Sequence, residues 1–202
     1  MRLAVFASGR GSNFQALLRA SQEGRLPAAE FVLLFSDKAD APALDIAREH
    51  GVATASLSPK SFANRAAYEE AALGILRERR VEAICLAGYM RLVGETLLKA
   101  YPGRILNIHP ALLPAFPGLH GQRDALEYGA KISGCTVHFV DSGVDTGPII
   151  IQKAVEVRDD DTEESLSARI LEKEHQAYPE AVDLLTRGRL ALRGRRVVQT
   201  PE

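Results

Sequence analysis

The sequence predicts an α/β protein, with a mostly parallel, Rossmann-like sheet flanked by helices and an antiparallel strand in the C-terminal half. Three observations predict it. Short, continuously apolar runs such as "RLAVFA" (2–7), "EFVLLFS" (30–36) and "EAICLAG" (82–88) alternate with helical patterns, and strands apolar on both faces belong to parallel sheets covered by helices. Their strand–helix–strand–helix–strand order is that of a doubly wound, Rossmann-like half. The second half then changes character. "SGCTVHFVD" (133–141) and "GPIIIQKAVEV" (147–157) are joined by a loop of hairpin length, Ser142–Thr146, so these strands pair antiparallel.

Each element has its local reason. "SNFQALLRASQEG" (12–24) places Phe14, Leu17 and Leu18 on one helical face. Ser12 with Gln15 fits a capping box, and Gly24 fits a helix stop. "APALDIAREHG" (41–51) is a helix closed by Gly51, and "ATASL" (53–57) is the third strand. A third helix is predicted from Ser61 to about Arg80, and "RILNIH" (104–109) is the fifth strand. A long helix starts near Thr162, with Glu163 and Glu164 in its first turn, where carboxylates favour the helix dipole. Pro179 is expected to kink or break it. "RLAL" and "RVVQT" read as a small terminal hairpin. The expected organisation is a single domain over 1–202. Its halves are a phosphate-binding Rossmann-like one (1–109) and a C-terminal one (110–202).

Composition excludes several classes. The chain has 202 residues, 46% hydrophobic and 25% charged, with a net charge of −1. A nucleic-acid footprint would need a basic excess or stripe, and "RGRLALRGRR" (187–196) reads as a solvated tail. No run reaches the length of a membrane span, and the N-terminus lacks a signal-peptide pattern. Cys85 and Cys135 lie singly in apolar strands with no metal-ligand spacing, as reduced buried thiols would. The expected setting is the cytoplasm, with no metal, nucleic acid or membrane partner.

"ASGRGSN" (7–13) joins the first strand to the first helix. Gly9 and Gly11 allow a tight turn, and the amides of Gly11, Ser12 and Asn13 would point outward at a helix N-terminus, a ready anion site. The dinucleotide fingerprint fails, because Phe14 stands where its third glycine belongs. No GK[ST] follows either, so a single small phosphate fits better than a pyrophosphate. A plain tight turn remains the alternative.

"LNIHPALLPAFPGLHG" (106–121) ends the fifth strand with Asn107 and His109. Residues i and i+2 of a strand share a face, roughly 6.5 to 7 Å apart, and Pro110 then stops the ladder. "DSGVDTG" (141–147) supplies Asp145 as a carboxylate partner. Asn, His and Asp suit acyl transfer. When an amine attacks a carbonyl, Asn107 can donate to the oxyanion, an interaction worth about 3 kcal/mol in rate. A protonated His109 can stabilise the same charge and deliver a proton to the leaving nitrogen, with Asp145 favouring the imidazolium. No GxSxG nucleophile elbow occurs, so transfer is expected to be direct.

"SGRGSN", "FSDKADA", "LAGYMRL", "LNIHPALLPAFPGLHG", "GCTVHFVDSGVDTGPII" and "EKEHQAYP" stand in order over nearly the whole chain. Together they resemble the glycinamide ribonucleotide formyltransferases, the folate-dependent enzymes of purine biosynthesis. The resemblance implies transfer of a formyl group from 10-formyltetrahydrofolate to the glycine amine of glycinamide ribonucleotide, by a monomer or homodimer of the formyltransferase fold. It implies Gly11, Ser12 and Asn13 for the substrate phosphate, and Asn107, His109 and Asp145 as the catalytic trio. It further implies Arg65, Met90, Arg91, Leu92, Val93, Asn107, Asp141, Ser142, Gly143, Val144 and Asp145 around the folate. Leu171, Glu172, Lys173 and Glu174 would reach the ribose or amine.

Without the resemblance these extra positions read more plainly. Met90 and Leu92 fit a core, Arg65 a surface charge, and Glu174 and His175 a solvated helix face. His138 fits either a place beside Asp145 or a packed strand histidine, and His50 suits a helix C-terminus. Arg10 between the loop glycines is expected to face solvent or the phosphate. Gly121, where such enzymes often carry a larger residue, is expected to loosen its loop. Of the competing activities, a formyltetrahydrofolate hydrolase would usually add an N-terminal regulatory domain, whereas this chain begins at its first strand. A methionyl-tRNA formyltransferase would need a C-terminal RNA-binding domain and a basic surface. An oxidoreductase is opposed by Phe14, and a non-catalytic binding module is separated by an activity assay.

Overall fold

The computed structural model describes residues 1–201. Seven strands form one sheet in the order β3-β2-β1-β4-β5-β6-β7, and two more form a separate ribbon. The chain falls into two compact units, Met1–Leu106 and the part from Asn107 onward. The division lies within β5 (Ile105–His109), slightly ahead of the expected 109/110 boundary, so Asn107 and His109 belong to the second unit.

In the first unit β1 (Arg2–Phe6) runs parallel to β2 (Glu30–Ser36) and β4 (Ala83–Leu86), and β2 runs parallel to β3 (Ala53–Ser56). Leu3 through Ala7 are fully buried, as a strand covered on both faces requires. Helices α1 (Ser12–Gln22), α2 (Ala43–Glu49) and α3 (Arg65–Glu78) follow the first three strands. The reversal of strand order lies between β1 and β4, and loops beyond the carboxyl ends of such a pair are where doubly wound sheets take ligands. Phe14 is fully buried and meets Phe31 edge to face, with ring centroids 6.4 Å apart. The ring that breaks the dinucleotide fingerprint is core.

Several local expectations need correction. Ser12 does not cap α1: Gly11 holds that position at φ 78°, with no side-chain cap. A left-handed glycine turns the chain there without a hydroxyl. The third helix starts at Arg65, after a 3-10 turn at Pro59–Ser61, because the Asn64 side chain accepts from the Ala67 amide and fixes the start. A short helix, α4 (Glu95–Ala100), lies between β4 and β5. Its six residues are too few to show an amphipathic period.

In the second unit α5 (Gly121–Tyr128) precedes β6 (Ile132–Phe139), which pairs antiparallel with β7 (Ile149–Glu156). The expected hairpin is present. Gly121 is buried, and a Cβ there would lie 3.1 Å from that of Ala111, so it closes a tight contact rather than loosening its loop. Helix α6 (Glu163–Thr186) opens on a capping box of Thr162 and Ser165 and runs through Pro179 without ending. A helix-interior proline costs about 3 kcal/mol. Pro179 sits among buried Ala177, Tyr178, Ala181 and Val182, each of which returns free energy on burial, and this packing holds the helix together. β8 (Leu190–Arg193) and β9 (Arg196–Gln199) form the terminal ribbon.

Candidate active site

The first unit supplies the loop after β1. The first backbone bond of α1 runs from the Gln15 amide to the Gly11 carbonyl, 2.9 Å. The first amides of a helix point out of its N-terminus, and no acidic side chain stands in the first turn. This is the electrostatics of an anion site. Gly11 is required twice over: its φ is positive, and a Cβ would lie 2.7 Å from that of Ala43. Gly9 is different, since a Cβ there meets nothing within 4 Å. Arg10 is exposed.

The loop after β4 carries Met90, Arg91, Leu92 and Val93. Met90 and Leu92 are 60% and 58% exposed, so the reading as core residues is wrong. They stand out of the strand end, leaving apolar surface in water. Arg91 donates from Nε to Asp37 Oδ2 at 2.9 Å. Arg65 opens α3 and is exposed.

The second unit holds the polar cluster. Asn107 and His109 emerge at the end of β5, and Asp145 lies in the β6–β7 loop with φ 52°. His109 Nδ1 is 3.4 Å from Asp145 Oδ2, and its Nε2 is 2.8 Å from the Phe116 carbonyl. A carbonyl only accepts, so Nε2 carries a proton. The Gly118 amide donates to Asp145 Oδ2 at 2.8 Å. The Asn107 amide nitrogen reaches Asp145 Oδ1 at 3.5 Å and His138 Nε2 at 3.2 Å. His138 Nδ1 donates to the Phe139 carbonyl at 2.8 Å. Of the two readings left open for His138, the place beside Asp145 is the observed one, 3.6 Å from Oδ1.

Titration in this cluster is a contest between burial and charge. Burial lowers the His109 pKa from its ordinary value, and the Asp145 carboxylate and Phe116 carbonyl oppose it without reversing it. Asp145 is the converse. Burial alone would raise its pKa, but the His138 ring, the Gly118 amide and His109 together lower it. At neutral pH the resting pair is therefore a carboxylate beside a mostly neutral imidazole. Asp145 does favour the imidazolium, as expected, but desolvation outweighs this single carboxylate.

The β6–β7 loop is braced from within. Asp141 Oδ1 accepts from the Gly143 amide at 3.0 Å and from Thr146 Oγ1 at 2.6 Å. Ser142, Gly143 and Val144 are exposed. On α6, Leu171 and Lys173 are half-buried, Glu172 is exposed and Glu174 is buried, so Glu174 does not lie on a solvated face. Burial and the nearby Glu174 charge push the Cys135 thiol up to about 12, which leaves it inert.

Sequence reasoning missed the supports under the segment after His109. Thr136 Oγ1 accepts from the Leu113 amide at 3.0 Å and donates to the Ala111 carbonyl at 2.7 Å, and Gln152 donates to the Leu113 carbonyl at 2.8 Å. The alternation in "CTVHF" places Thr136 and His138 on one face of β6, a signal that ties the two together. Among the described residues no cluster could hold a metal ion, and no helix is long and apolar enough to cross a membrane.

An anion-ready loop at the switch point of a doubly wound sheet, with an amide, an imidazole and a carboxylate gathered in the second unit, defines an α/β enzyme equipped for acyl-group chemistry. The family model described as "Formyl transferase" matches residues 1–182, and the chain belongs to that family. It is 48% identical over 184 residues to the phosphoribosylglycinamide formyltransferase of Bacillus subtilis (strain 168), covering 91% of this chain and 94% of that protein. Among solved structures, glycinamide ribonucleotide transformylase 1 from Symbiobacterium toebii superposes with a TM-score of 0.97 at 51% identity, over 100% of this chain and 94% of that one. Phosphoribosylglycinamide formyltransferase from Bacillus halodurans gives 0.89 at 45% identity, over 92% and 95%.

Proposed function

We propose that the protein transfers the formyl group of 10-formyltetrahydrofolate to the glycine amine of N1-(5-phospho-D-ribosyl)glycinamide, a step of purine biosynthesis. The observation that carries this reading is the Asn107–His109–Asp145 cluster in a chain of the formyl transferase family. The amine nitrogen attacks the formyl carbon, giving a tetrahedral oxyanion and an ammonium. Asn107 donates to the oxyanion. His109, neutral at rest, takes the ammonium proton, and Asp145 stabilises the imidazolium so formed. The proton passes to N10 as the carbon–N10 bond breaks. The products are the N-formyl amide and tetrahydrofolate, and no acyl-enzyme intervenes.

The other roles follow the same reading. Gly11, Ser12 and Asn13 hold the substrate phosphate through backbone amides. Met90 and Leu92 offer exposed apolar surface to a flat heterocycle, and Arg65, Arg91 and Val93 are assigned to the same folate. Asn107 and Asp141 to Asp145 are assigned to it as well. Leu171, Glu172, Lys173 and Glu174 are assigned to the ribose and amine.

The test is to incubate purified protein with both substrates and identify the products by mass. The expected result is one equivalent of formylated glycinamide ribonucleotide per tetrahydrofolate. Formate in place of the formylated amide would assign a hydrolase instead.

A further inference from the structure

The loops after β1, β2 and β4 are tied together by one buried carboxylate, Asp37. Its side chain is 5% exposed and spends each oxygen on a different loop. Oδ1 accepts the Ser8 hydroxyl at 2.5 Å, and Oδ2 accepts Arg91 Nε–H at 2.9 Å. Ser8 in turn accepts the Met90 amide on Oγ at 2.9 Å, and its own amide donates to the Gly88 carbonyl at 3.0 Å. These polarities are forced. A carboxylate cannot donate and a backbone N–H cannot accept, so the Ser8 hydroxyl points toward Asp37 and offers its lone pair to Met90.

The position gives the network its meaning. Ser8 immediately precedes the Gly9–Asn13 turn, while Met90 and Arg91 belong to the loop after β4. β1 lies between β2 and β4 in the sheet. Asp37, at the end of β2, therefore reaches past the β1 loop to grip the β4 loop, at the switch point itself. A charge-assisted pair to a buried carboxylate is stronger than a neutral hydrogen bond, so ordering one loop limits the freedom of the other.

We propose that Asp37 is a positioning residue that couples the two loops, so that occupation of the phosphate loop and of the 89–93 loop favour one another. This rests on the substrate assignments proposed above. Coupling between two sites is reciprocal: each compound tightens the other by the same factor. Asp37→Ala removes both links. Asp37→Asn retains an acceptor for Ser8 but turns an N–H toward Arg91 Nε–H, so it loses the Arg91 link alone.

The experiment is calorimetric titration of the whole chain with glycinamide ribonucleotide, with and without saturating tetrahydrofolate. This pair cannot react, because no formyl group is present. The wild type is expected to bind glycinamide ribonucleotide at least about fivefold more tightly in the presence of tetrahydrofolate. In Asp37→Ala the ratio should fall to about one, and Asp37→Asn should lie between, with the circular dichroism of both variants unchanged. A variant that fails to fold leaves the other to decide. A folded Asp37→Ala or Asp37→Asn with the wild-type ratio overturns the proposal, as does a wild type that binds both compounds independently. A wild type that binds neither overturns the substrate assignment itself, and the coupling with it.

Discussion

Asp145 Oδ2 lies 3.4 Å from His109 Nδ1 and accepts the Gly118 amide at 2.8 Å. One carboxylate oxygen thus faces the imidazole and at the same time holds the start of the segment leading into α5. The imidazole is pinned on its other nitrogen by the Phe116 carbonyl. This arrangement fixes the ring while burial keeps it largely unprotonated, and the chemical predictions depend on that combination.

In the proposed mechanism, replacing His109 by Ala removes the group that takes and returns the proton. General acid–base catalysis contributes about 10²- to 10⁴-fold in rate, and kcat should fall within that range. Binding of glycinamide ribonucleotide should change little, since the phosphate is assigned to the amides of Gly11, Ser12 and Asn13. Steady-state rates and calorimetric titration of one preparation check both parts. A variant within twofold of wild-type turnover would remove His109 from the mechanism.

Asp145→Asn keeps the shape of the side chain but loses the charge that stabilises an imidazolium. The expected effect is a fall in kcat of about 10²-fold or more, with unchanged KM for the phosphorylated substrate. A rise in that KM at constant kcat would make Asp145 a binding residue only.

Stability should fall with acidification, for a reason that can be located. Burial lowers the pKa of both His109 and His175 from the ordinary 6.5. As pH drops below that value the unfolded chain takes up protons that the folded protein refuses, so the unfolded state gains. The ionised Asp145 stabilises the fold above its ordinary value of 3.8, and that contribution is lost only as pH falls through its depressed folded value. The urea midpoint should therefore decrease between about pH 7.5 and about pH 5.5, and His175→Gln should flatten part of the decrease. An identical pH slope in that variant would exclude His175 as a source.

The glycines separate packing from ligand approach. A Cβ on Gly147 would fall 1.6 Å from the Phe139 carbonyl oxygen, so Gly147→Ala should not accumulate as folded protein. Gly11→Ala should also destabilise, through Ala43 and its positive φ. Gly9→Ala, in open space, should change stability by less than about 0.5 kcal/mol. The soluble yield of Gly147→Ala and thermal melts of the other two variants check this, and a Gly9→Ala protein as unstable as Gly11→Ala would contradict it.

Much of this architecture is legible in the sequence. Continuous apolar runs mark β1, β2 and β4, because a strand buried on both faces has no polar positions to interrupt it. The pair Asn107 and His109 is visible for the opposite reason, as polar side chains at the end of such a run. The 3.5 Å approach of Asn107 to Asp145 was not legible, because it depends on how the β6–β7 loop folds back. Nor was the burial of Glu174, where a helix face rich in charge gives no sign that one carboxylate turns inward. Pro179 misled because its local cost is plain in sequence, whereas the packing of Tyr178 and Val182 that offsets it is not. The protonation of His109 depends on desolvation against a single carboxylate, a balance set by packing that a motif does not carry.

A formyl transferase of this kind gives the formyl group to an amine and not to water. The direct measurement is the rate of tetrahydrofolate release from 10-formyltetrahydrofolate by the purified chain, with and without glycinamide ribonucleotide. Release is expected to depend on the acceptor and to stop when it is consumed. Equal release in its absence would contradict this.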